Sequence, residues 1–111
     1  MNTRTLLRAI RDWRERVRNA DYCEVKLARL CNVSPRTLWK FSHDELRTPL
    51  RVWLTRLRIH DSKAELLGLD VQIKVVALNA RYKHHTDFSR QFKRSCGVSP
   101  TEWIAAHQSV G

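Results

Sequence analysis

Residues 84–103 read HHTDFSRQFKRSCGVSPTEW, and this stretch decides the fold class. Phe88 and Phe92 stand four residues apart, as on one face of a helix, with polar and basic residues between them. Gly97 predicts the end of that helix. Segment 99–102, SPTE, is a capping box with proline at the first helical position, which predicts that another helix starts at once. The stretch therefore predicts two helices joined by a tight connection.

Helical spacing continues toward the N-terminus. Apolar residues recur at steps of three and four over residues 4–19, which predicts a first amphipathic helix. Short helices are predicted over residues 24–31 and 35–42. Ser34 is the expected N-cap of the second of these, with Pro35 at its first position, where the missing N–H of proline costs nothing. Two short helices joined by about three residues are typical of a helix-turn-helix.

A longer helix is predicted in the middle of the chain. Thr48 and Pro49 repeat the cap signal, apolar residues then recur to about Leu67, and Gly68 predicts the stop. At ~1.5 Å per residue this helix would span roughly 27 Å. Asp70 is expected to cap the next short helix. No stretch of five or more residues alternates with period two, so the sequence predicts an all-α fold of about seven helices.

The two halves of the chain repeat each other. Four pairs match at an offset of 49 or 50 residues: Ala28 with Ala77, Leu38 with Phe88, Lys40 with Arg90, and Trp53 with Trp103. An alternative is that helical amphipathicity imposes this spacing by itself. We interpret the repeat as two helix-turn-helix subdomains joined by a long central helix. The predicted divisions are an N-terminal amphipathic helix at 1–21, a first helix-turn-helix at 22–48, a linking helix at 49–68, a second helix-turn-helix with a C-terminal helix at 69–107, and a tail at 108–111.

Charge and composition narrow the function. The 111 residues include 21 Lys plus Arg and 11 Asp plus Glu, a net charge of +10, which favours a polyanionic partner, most often nucleic acid. Charge alone does not separate DNA from RNA, from a membrane surface or from an acidic protein. No apolar run approaches the ~18 residues of a membrane span, and the charged N-terminus lacks the apolar core of a secretory signal, so we expect no membrane association.

Signals for catalysis and for metal binding are missing from the sequence. The three cysteines are an odd number without a CxxC pair, which favours a reducing cytoplasm over a disulfide framework. His84 and His85 would point about 100° apart on a helix and share no third ligand, so we expect no metal site. No HExxH, GxxxxGK or paired-carboxylate pattern occurs. We therefore expect a protein that is not an enzyme and that uses no cofactor.

Three segments carry a more specific signal: residues 71–77 (VQIKVVA) with Tyr82, residues 88–94 (FSRQFKR), and residues 97–103 (GVSPTEW). They resemble the C-terminal signature of the AraC/XylS-type transcription regulators, IAxxxGF followed by xYFSRxFKxxxGxSPxxYR. The first half of the chain agrees more loosely, at Leu27-Ala28, Ser34, Leu38, Lys40, Trp53-Leu54, Arg58-Ile59 and Leu66-Leu67. The resemblance covers about residues 22–107.

The resemblance implies a sequence-specific transcription regulator, an activator, that binds double-stranded DNA as a monomer and contacts RNA polymerase. It also implies the short build of family members without a separate effector domain, and the starting methionine and the apolar first helix agree with that. Two alternatives stay open: a non-specific basic nucleic-acid-binding protein, or the excised DNA-binding domain of a larger ligand-sensing regulator. The duplicated helix-turn-helix favours the sequence-specific regulator over the non-specific binder, because RNA-binding modules more often use sheets or aromatic platforms.

The chain departs from the family pattern at several positions. Arg81 stands where family members have the glycine of the second turn. Either Arg81 adopts a left-handed backbone at a cost of roughly 1 kcal/mol, or the turn differs. Ser42 takes the place of the usual phenylalanine, with Phe41 one position early, and Pro49 is also one position early. The register of the first recognition helix is therefore open by one residue.

The resemblance also assigns side chains to DNA. A recognition helix reads bases in the major groove through exposed residues on its N-terminal part and on one face. The candidates for base contacts are Arg36, Trp39 and Lys40 in the first unit, and His85, Thr86, Ser89 and Arg90 in the second. The candidates for phosphate contacts are Ser34, Arg47, Arg51, Lys83, Lys93 and Arg94.

Some of these side chains have alternative roles. Trp39 is either a base contact or a core aromatic, and Arg90 either reads a base or pairs with Asp87 three residues earlier. Lys40 could contact phosphate instead of a base, and His85 could be solvated. The arginines of the first helix form either a solvated face or further phosphate contacts. Two recognition helices that enter successive major-groove turns on one face of DNA must lie about 34 Å apart.

Overall fold

The computed structural model describes residues 3–108, which form eight α-helices and no strand. The helices are α1 (Thr3–Ala9), α2 (Trp13–Asn19), α3 (Glu24–Leu30), α4 (Pro35–Glu45), α5 (Leu50–Leu66), α6 (Ile73–Asn79), α7 (His85–Cys96) and α8 (Pro100–Gln108). The prediction of an all-α fold is confirmed. The chain divides into two compact units, 1–57 and 58–111, and the boundary between them falls inside α5.

The structure has one helix more than predicted, because the single helix predicted over residues 4–19 is divided into α1 and α2. The chain breaks after Ala9, where the amide of Ile10 donates to the carbonyl of Leu7 at 3.2 Å, and α2 starts again at Trp13. Residues six apart on one straight helix, such as Leu7 and Trp13, would point about 120° away from each other. The break turns both toward the core of the first unit, where Leu7 is buried and Trp13 packs at its edge.

An aromatic group closes the core of the first unit. Trp13 stacks on Phe41, with ring centroids 5.9 Å apart, and meets Trp53 edge-on at 5.3 Å. Such pairs are worth about 0.5–1.5 kcal/mol each beyond the area they bury. The buried apolar residues around this group are Leu7, Val17, Ala20, Leu27, Ala28, Leu38, Phe41, Leu50 and Leu54. The two N-terminal helices therefore belong to this core.

The open register of α4 is resolved by burial. Leu38, Phe41 and Ser42 are all buried, and the Ser42 hydroxyl donates to the carbonyl oxygen of Trp39 at 3.0 Å. Ser42 thus keeps the position that Phe92 has fifty residues later, although it supplies no aromatic ring. Phe41 and the Trp13 ring fill the core on that side instead, which is why a phenylalanine one position early does not shift the helix.

The second unit has a smaller aromatic core. The ring of Phe88 lies 5.4 Å from that of Tyr82 and 5.7 Å from that of Phe92, and Phe92 meets Trp103 edge-on at 6.1 Å. The buried apolar residues are Ile59, Leu66, Val76, Ala77, Ala80, Tyr82, Phe88 and Phe92. This core fixes α7 on α6 and on the second half of α5.

Both helix-turn-helix turns use one backbone motif. Asn32 (φ 60°) and Arg81 (φ 69°) are left-handed and directly follow the C-caps of α3 and α6. Beside Arg81, the amide of Tyr82 donates to the carbonyl of Ala77 at 2.9 Å, and Val33 donates to Ala28 in the same way at 3.0 Å. These bonds belong to a Schellman motif, which satisfies the last carbonyls of a helix. Of the two expectations for Arg81, the left-handed backbone is the one observed.

Most of the predicted helix ends are found, and two cap predictions are wrong. The Ser34 hydroxyl accepts from the Thr37 amide at 3.1 Å, the capping box of α8 forms with the Glu102 amide donating to Ser99 at 3.2 Å, and Gly97 ends α7 at φ 83°. Asp70 caps nothing: it is left-handed at φ 52°, and α6 starts three residues later behind Gln72.

Thr48 is the second wrong cap. Its hydroxyl donates to the carbonyl of Leu46, two residues earlier, at 3.0 Å, and does not cap the first amides of the next helix. Helix α5 therefore starts at Leu50, and the carbonyl of Pro49 accepts its first bond, from Trp53, at 3.0 Å. Over residues 3–108, no helix has both the length and the apolar character needed to cross a membrane.

Candidate nucleic-acid interface

Helices α4 and α7 each follow a Schellman turn and each bury one face. In α4 the buried face carries Leu38 and Phe41, and in α7 it carries Phe88 and Phe92. Because side chains three and four residues apart share a side of a helix, the opposite face of each helix is left to solvent. The predicted base-contacting residues lie on these two exposed faces.

The exposed face of α4 carries Arg36, Trp39 and Lys40. These positions are separated by three and four residues, so their side chains are neighbours. Half of the Trp39 surface is open to solvent, which places this ring outside the core. It leans on the imidazole of His43 one turn later, with the ring centroids 4.0 Å apart. The first unit thus presents a guanidinium, an ammonium group and a large apolar ring on one surface.

The matching face of α7 carries His85, Thr86 and Arg90, all exposed, with Ser89 partly buried between them. Thr86, Ser89 and Arg90 stand fifty residues after the three positions on α4. The Arg90 guanidinium and the Asp87 carboxylate are 4.0 Å apart, with side chains 72% and 55% exposed. An exposed pair of this kind is worth at most about 1 kcal/mol, less than the ~1–3 kcal/mol of a bidentate contact with guanine. The ion pair therefore does not prevent Arg90 from reading a base.

The six predicted phosphate contacts are all exposed: Ser34, Arg47, Arg51, Lys83, Lys93 and Arg94. Ser34 is also engaged in capping, since its hydroxyl lies 2.9 Å from that of Thr37 as well as accepting the amide of the same residue. Lys93 and Arg94 stand in the last turn of α7, where positive charge also complements the helix dipole. Cap or dipole roles are compatible with phosphate contact, because none of them removes the side chain from solvent.

A cleft lies beside each turn, at equivalent positions of the repeat but with different chemistry. The first, of about 430 Å³, is lined by Val25, Ala28, Arg29, Asn32, Val33, Ser34 and Pro35. The second, of about 310 Å³, is lined by Lys74, Ala77, Leu78, Tyr82, Lys83, His84 and His85. Six of the seven positions in the second cleft follow a lining residue of the first by 49 residues, and His85 is the exception. Lys74, which is not among the residues predicted to contact DNA, is one of the residues that make the second cleft the more basic.

Burial changes the acidity of two side chains near the turns, Cys31 and Tyr82. Burial raises the pKa of the Cys31 thiol, although the side chain of Arg16 opposes the effect. Burial also raises the pKa of the Tyr82 phenol, against a weaker opposite effect of Arg58. Within residues 3–108, no three His, Cys, Asp or Glu side chains are grouped so as to hold a metal ion. The described surface therefore offers hydrogen bonds and positive charge.

Known proteins share this arrangement. A model of a helix-turn-helix domain family matches residues 27–106, which covers both turns and both exposed helices. The chain belongs to the AraC-type helix-turn-helix family. The matched range begins inside α3, so the family pattern does not include α1 and α2.

Relatives of the family support the assignment. The transcriptional activator NphR of a Rhodococcus species is 28% identical over 109 residues, which are 98% of this chain and 32% of NphR. The chain thus spans about a third of that relative. A DNA-binding transcriptional dual regulator of Escherichia coli K-12 has 22% identity and a TM-score of 0.78, with 98% of this chain and 95% of that chain covered. The C-terminal domain of AraT, a response regulator of Geobacillus stearothermophilus, has 24% identity and a TM-score of 0.71, with 88% of each chain covered. These two structures show that the fold is shared.

Sequence reasoning missed the contacts that hold the exposed helices in place. Arg58 donates to backbone carbonyls of the second turn, and Arg8 of α1 forms a 2.6 Å salt bridge with Glu45 near the end of α4. Arg16 pairs with Asp12 at 3.0 Å within the N-terminal segment. At least two of the N-terminal arginines therefore make contacts inside the first unit. Opposite charge four residues apart could have indicated the pair of Asp12 with Arg16, whereas the partners of Arg8 and Arg58 are set by tertiary contacts.

Proposed function

We propose that this domain binds double-stranded DNA at specific sequences and activates transcription. The observation that carries the proposal is the repeated exposed face: Arg36, Trp39 and Lys40 on α4, and Thr86, Ser89 and Arg90 on α7, at an offset of fifty residues. Membership of the AraC-type family and the net charge of +10 support the same function.

In this proposal α4 and α7 each enter a segment of the major groove, where every base pair presents a distinct set of donors and acceptors. Arg36 and Arg90 donate two hydrogen bonds each to O6 and N7 of a guanine, and the Trp39 ring contacts a thymine methyl group. His85, Thr86 and Ser89 complete the contacts of the second helix, and Lys40 those of the first. Each well-placed bidentate pair would contribute about 1–3 kcal/mol of discrimination.

Phosphate contacts supply affinity that does not depend on sequence. Ser34, Arg47 and Arg51 in the first unit, with Lys83, Lys93 and Arg94 in the second, are the groups we assign to the DNA backbone. Neutralising one phosphate adds about −0.9 to the slope of log K against log salt concentration, so the five cationic side chains would give a slope of roughly −4.5, while the Ser34 hydroxyl adds a hydrogen bond without changing the slope.

The relatives also bear on the direction of regulation. NphR is named a transcriptional activator, which favours activation over repression for this chain. We further propose that the domain binds as a monomer in the cytoplasm, with one recognition helix for each of two short DNA boxes, and that it contacts RNA polymerase. The regulated genes are to be read from the DNA sequence that the domain selects.

The decisive experiment is selection of binding sites from random duplex DNA at ~150 mM salt. We expect a motif of two boxes, and the matched variants Arg36→Ala and Arg90→Ala should each lose preference in a different box. Binding without any motif, with the same salt slope for every sequence, would refute the proposal and favour a non-specific nucleic-acid binder.

A further inference from the structure

Arg58 connects α5 to the second helix-turn-helix turn. Its Nε donates to the carbonyl of Ala80, and its Nη2 donates to the carbonyl of Arg81. The centre of the guanidinium also lies 3.7 Å from the centroid of the Tyr82 ring. One side chain thus holds three consecutive residues of the turn, by two charge-assisted hydrogen bonds and a cation–π contact.

This turn has a backbone that its own sequence does not favour. Arg81 is left-handed at φ 69° although it carries a Cβ atom, and a residue of that kind visits this region less readily than glycine. The two carbonyls that Arg58 binds flank the φ and ψ angles of Arg81. Fixing them therefore favours the left-handed backbone from outside the turn.

Contacts of Tyr82 connect the turn that Arg58 binds to α7. The Tyr82 hydroxyl donates to Oε1 of Gln91, which stands beside Arg90 in the sequence. The Tyr82 ring also packs on Phe88, with centroids 5.4 Å apart. A path of direct contacts thus leads from Arg58 through Tyr82 to the middle of the second recognition helix.

The matching positions of the first unit, all among the described residues, lack the side chains of this path. Val33 stands where the second turn has Tyr82, so it offers no hydroxyl, and Phe41 stands where α7 has Gln91. The left-handed position is Asn32, a residue type that adopts this backbone more readily than arginine does. The repeat therefore supplies an internal control, because loss of the path should affect one recognition helix.

We propose that Arg58 is a positioning residue for base recognition by α7. Together with Tyr82 and Gln91, it sets how α7 presents Thr86, Ser89 and Arg90, and so determines base preference in the box that the second unit reads. The inference rests on the proposed function.

The test uses Tyr82→Phe and Arg58→Lys in the full chain. Tyr82→Phe keeps the ring under Arg58 but removes the hydroxyl that reaches Gln91. Arg58→Lys keeps the charge but lacks the planar group that binds two carbonyls at once. Arg56→Lys, at an exposed arginine on the same helix, is the matched control.

The measurement is the ratio of dissociation constants for the selected site and for sites altered in one box. For both variants we expect the ratio for the second box to fall about fivefold, the lower end of what one good base contact provides. The ratio for the first box should stay within about twofold, as should both ratios for Arg56→Lys. Unchanged ratios for both variants would overturn the inference.

Two further readouts separate positioning from a purely structural role. A purely structural contact would lower the folded fraction and weaken binding to all sites alike, and that result would also overturn the inference. Without DNA, hydrogen exchange at the Tyr82 amide, which donates to Ala77, should quicken about fivefold or more in Arg58→Lys but not in Arg56→Lys. If the wild type selects no motif, the proposed function fails, and exchange still decides whether Arg58 holds the turn.

Discussion

Replacing Arg81 by glycine should stabilise the second unit. Arg81 has φ 69°, and its side chain is exposed, so the substitution empties no core position. The bonds that define the turn are made by backbone atoms: the Arg81 amide donates to Leu78 at 3.0 Å, and the Tyr82 amide donates to Ala77 at 2.9 Å. The carbonyls that Arg58 binds are also retained. The change therefore keeps these backbone bonds, relieves backbone strain and alters the entropy of the unfolded chain.

The magnitude follows from those two opposing effects. A Cβ atom in the left-handed region costs about 1–2 kcal/mol, which glycine removes. Glycine in turn loses about 0.5–1 kcal/mol more conformational entropy on folding than a residue with a side chain. The difference is a gain of about 0.5–1 kcal/mol in the free energy of unfolding of Arg81→Gly, or roughly 2–6 °C in the melting temperature of a domain this size.

Urea denaturation followed by far-ultraviolet circular dichroism measures this gain, and Asn32→Gly is the matched control. Asn32 occupies the same motif in the first unit at φ 60°, and asparagine already tolerates that backbone, so its replacement should change stability by less than about 0.3 kcal/mol. An Arg81→Gly variant that is destabilised, or one that gains no more than Asn32→Gly, would refute the argument that strain is stored at Arg81.

Three other predictions concern different parts of the molecule. Arg90→Ala should reduce preference at one base position by about 1–3 kcal/mol, whereas Lys93→Ala should weaken binding to all sequences alike and make the salt slope shallower by about 1. Competition binding at several salt concentrations separates the two effects, and a sequence-dependent effect of Lys93→Ala would contradict its assignment to phosphate. Trp13→Ala should lower the free energy of unfolding by about 3 kcal/mol, because it removes the ring between Phe41 and Trp53. A loss below about 1 kcal/mol in urea denaturation would show that the N-terminal helices do not complete the core of the first unit. Because burial raises the pKa of the Tyr82 phenol, the contribution of the neutral phenol to stability should be complete below pH ~10 and lost as the pH rises further. Wild type should therefore lose more stability than Tyr82→Phe between pH 9 and 11 in urea denaturation, and parallel pH profiles of the two proteins would refute this.

The fate of the cap predictions shows how far local sequence signals reach. Ser34 and the capping box at 99–102 act within three residues of chain, so the sequence alone was enough to place the starts of α4 and α8. Asp70 and Thr48 carry side chains of the same capping type but do not cap. A short polar side chain can bond to more than one nearby backbone group, and the path of the chain decides which one it meets.

The candidate site divides in the same way. Alternation of buried and exposed positions along one helix predicts its outer face, and Arg36, Lys40 and Arg90 are exposed as that pattern requires. Their contacts with DNA stay predictions. For Trp39, the sequence left both a base contact and a core position open, and the structure places the ring on the surface because other rings fill the core beside it.

The sequence by itself determined the number and spacing of the recognition units, because helical periodicity and the offset of 49 or 50 residues are properties of the chain. Tertiary structure decided the break before Trp13, the shared burial of Phe41 and Ser42, and the grip of Arg58 on a turn that starts twenty-two residues later at Ala80. Propensities and caps act over one turn of helix, so they can be read in order along the chain. Which distant side chain fills a core or binds a free carbonyl depends on how the helices pack, and a pattern in one segment does not contain that information.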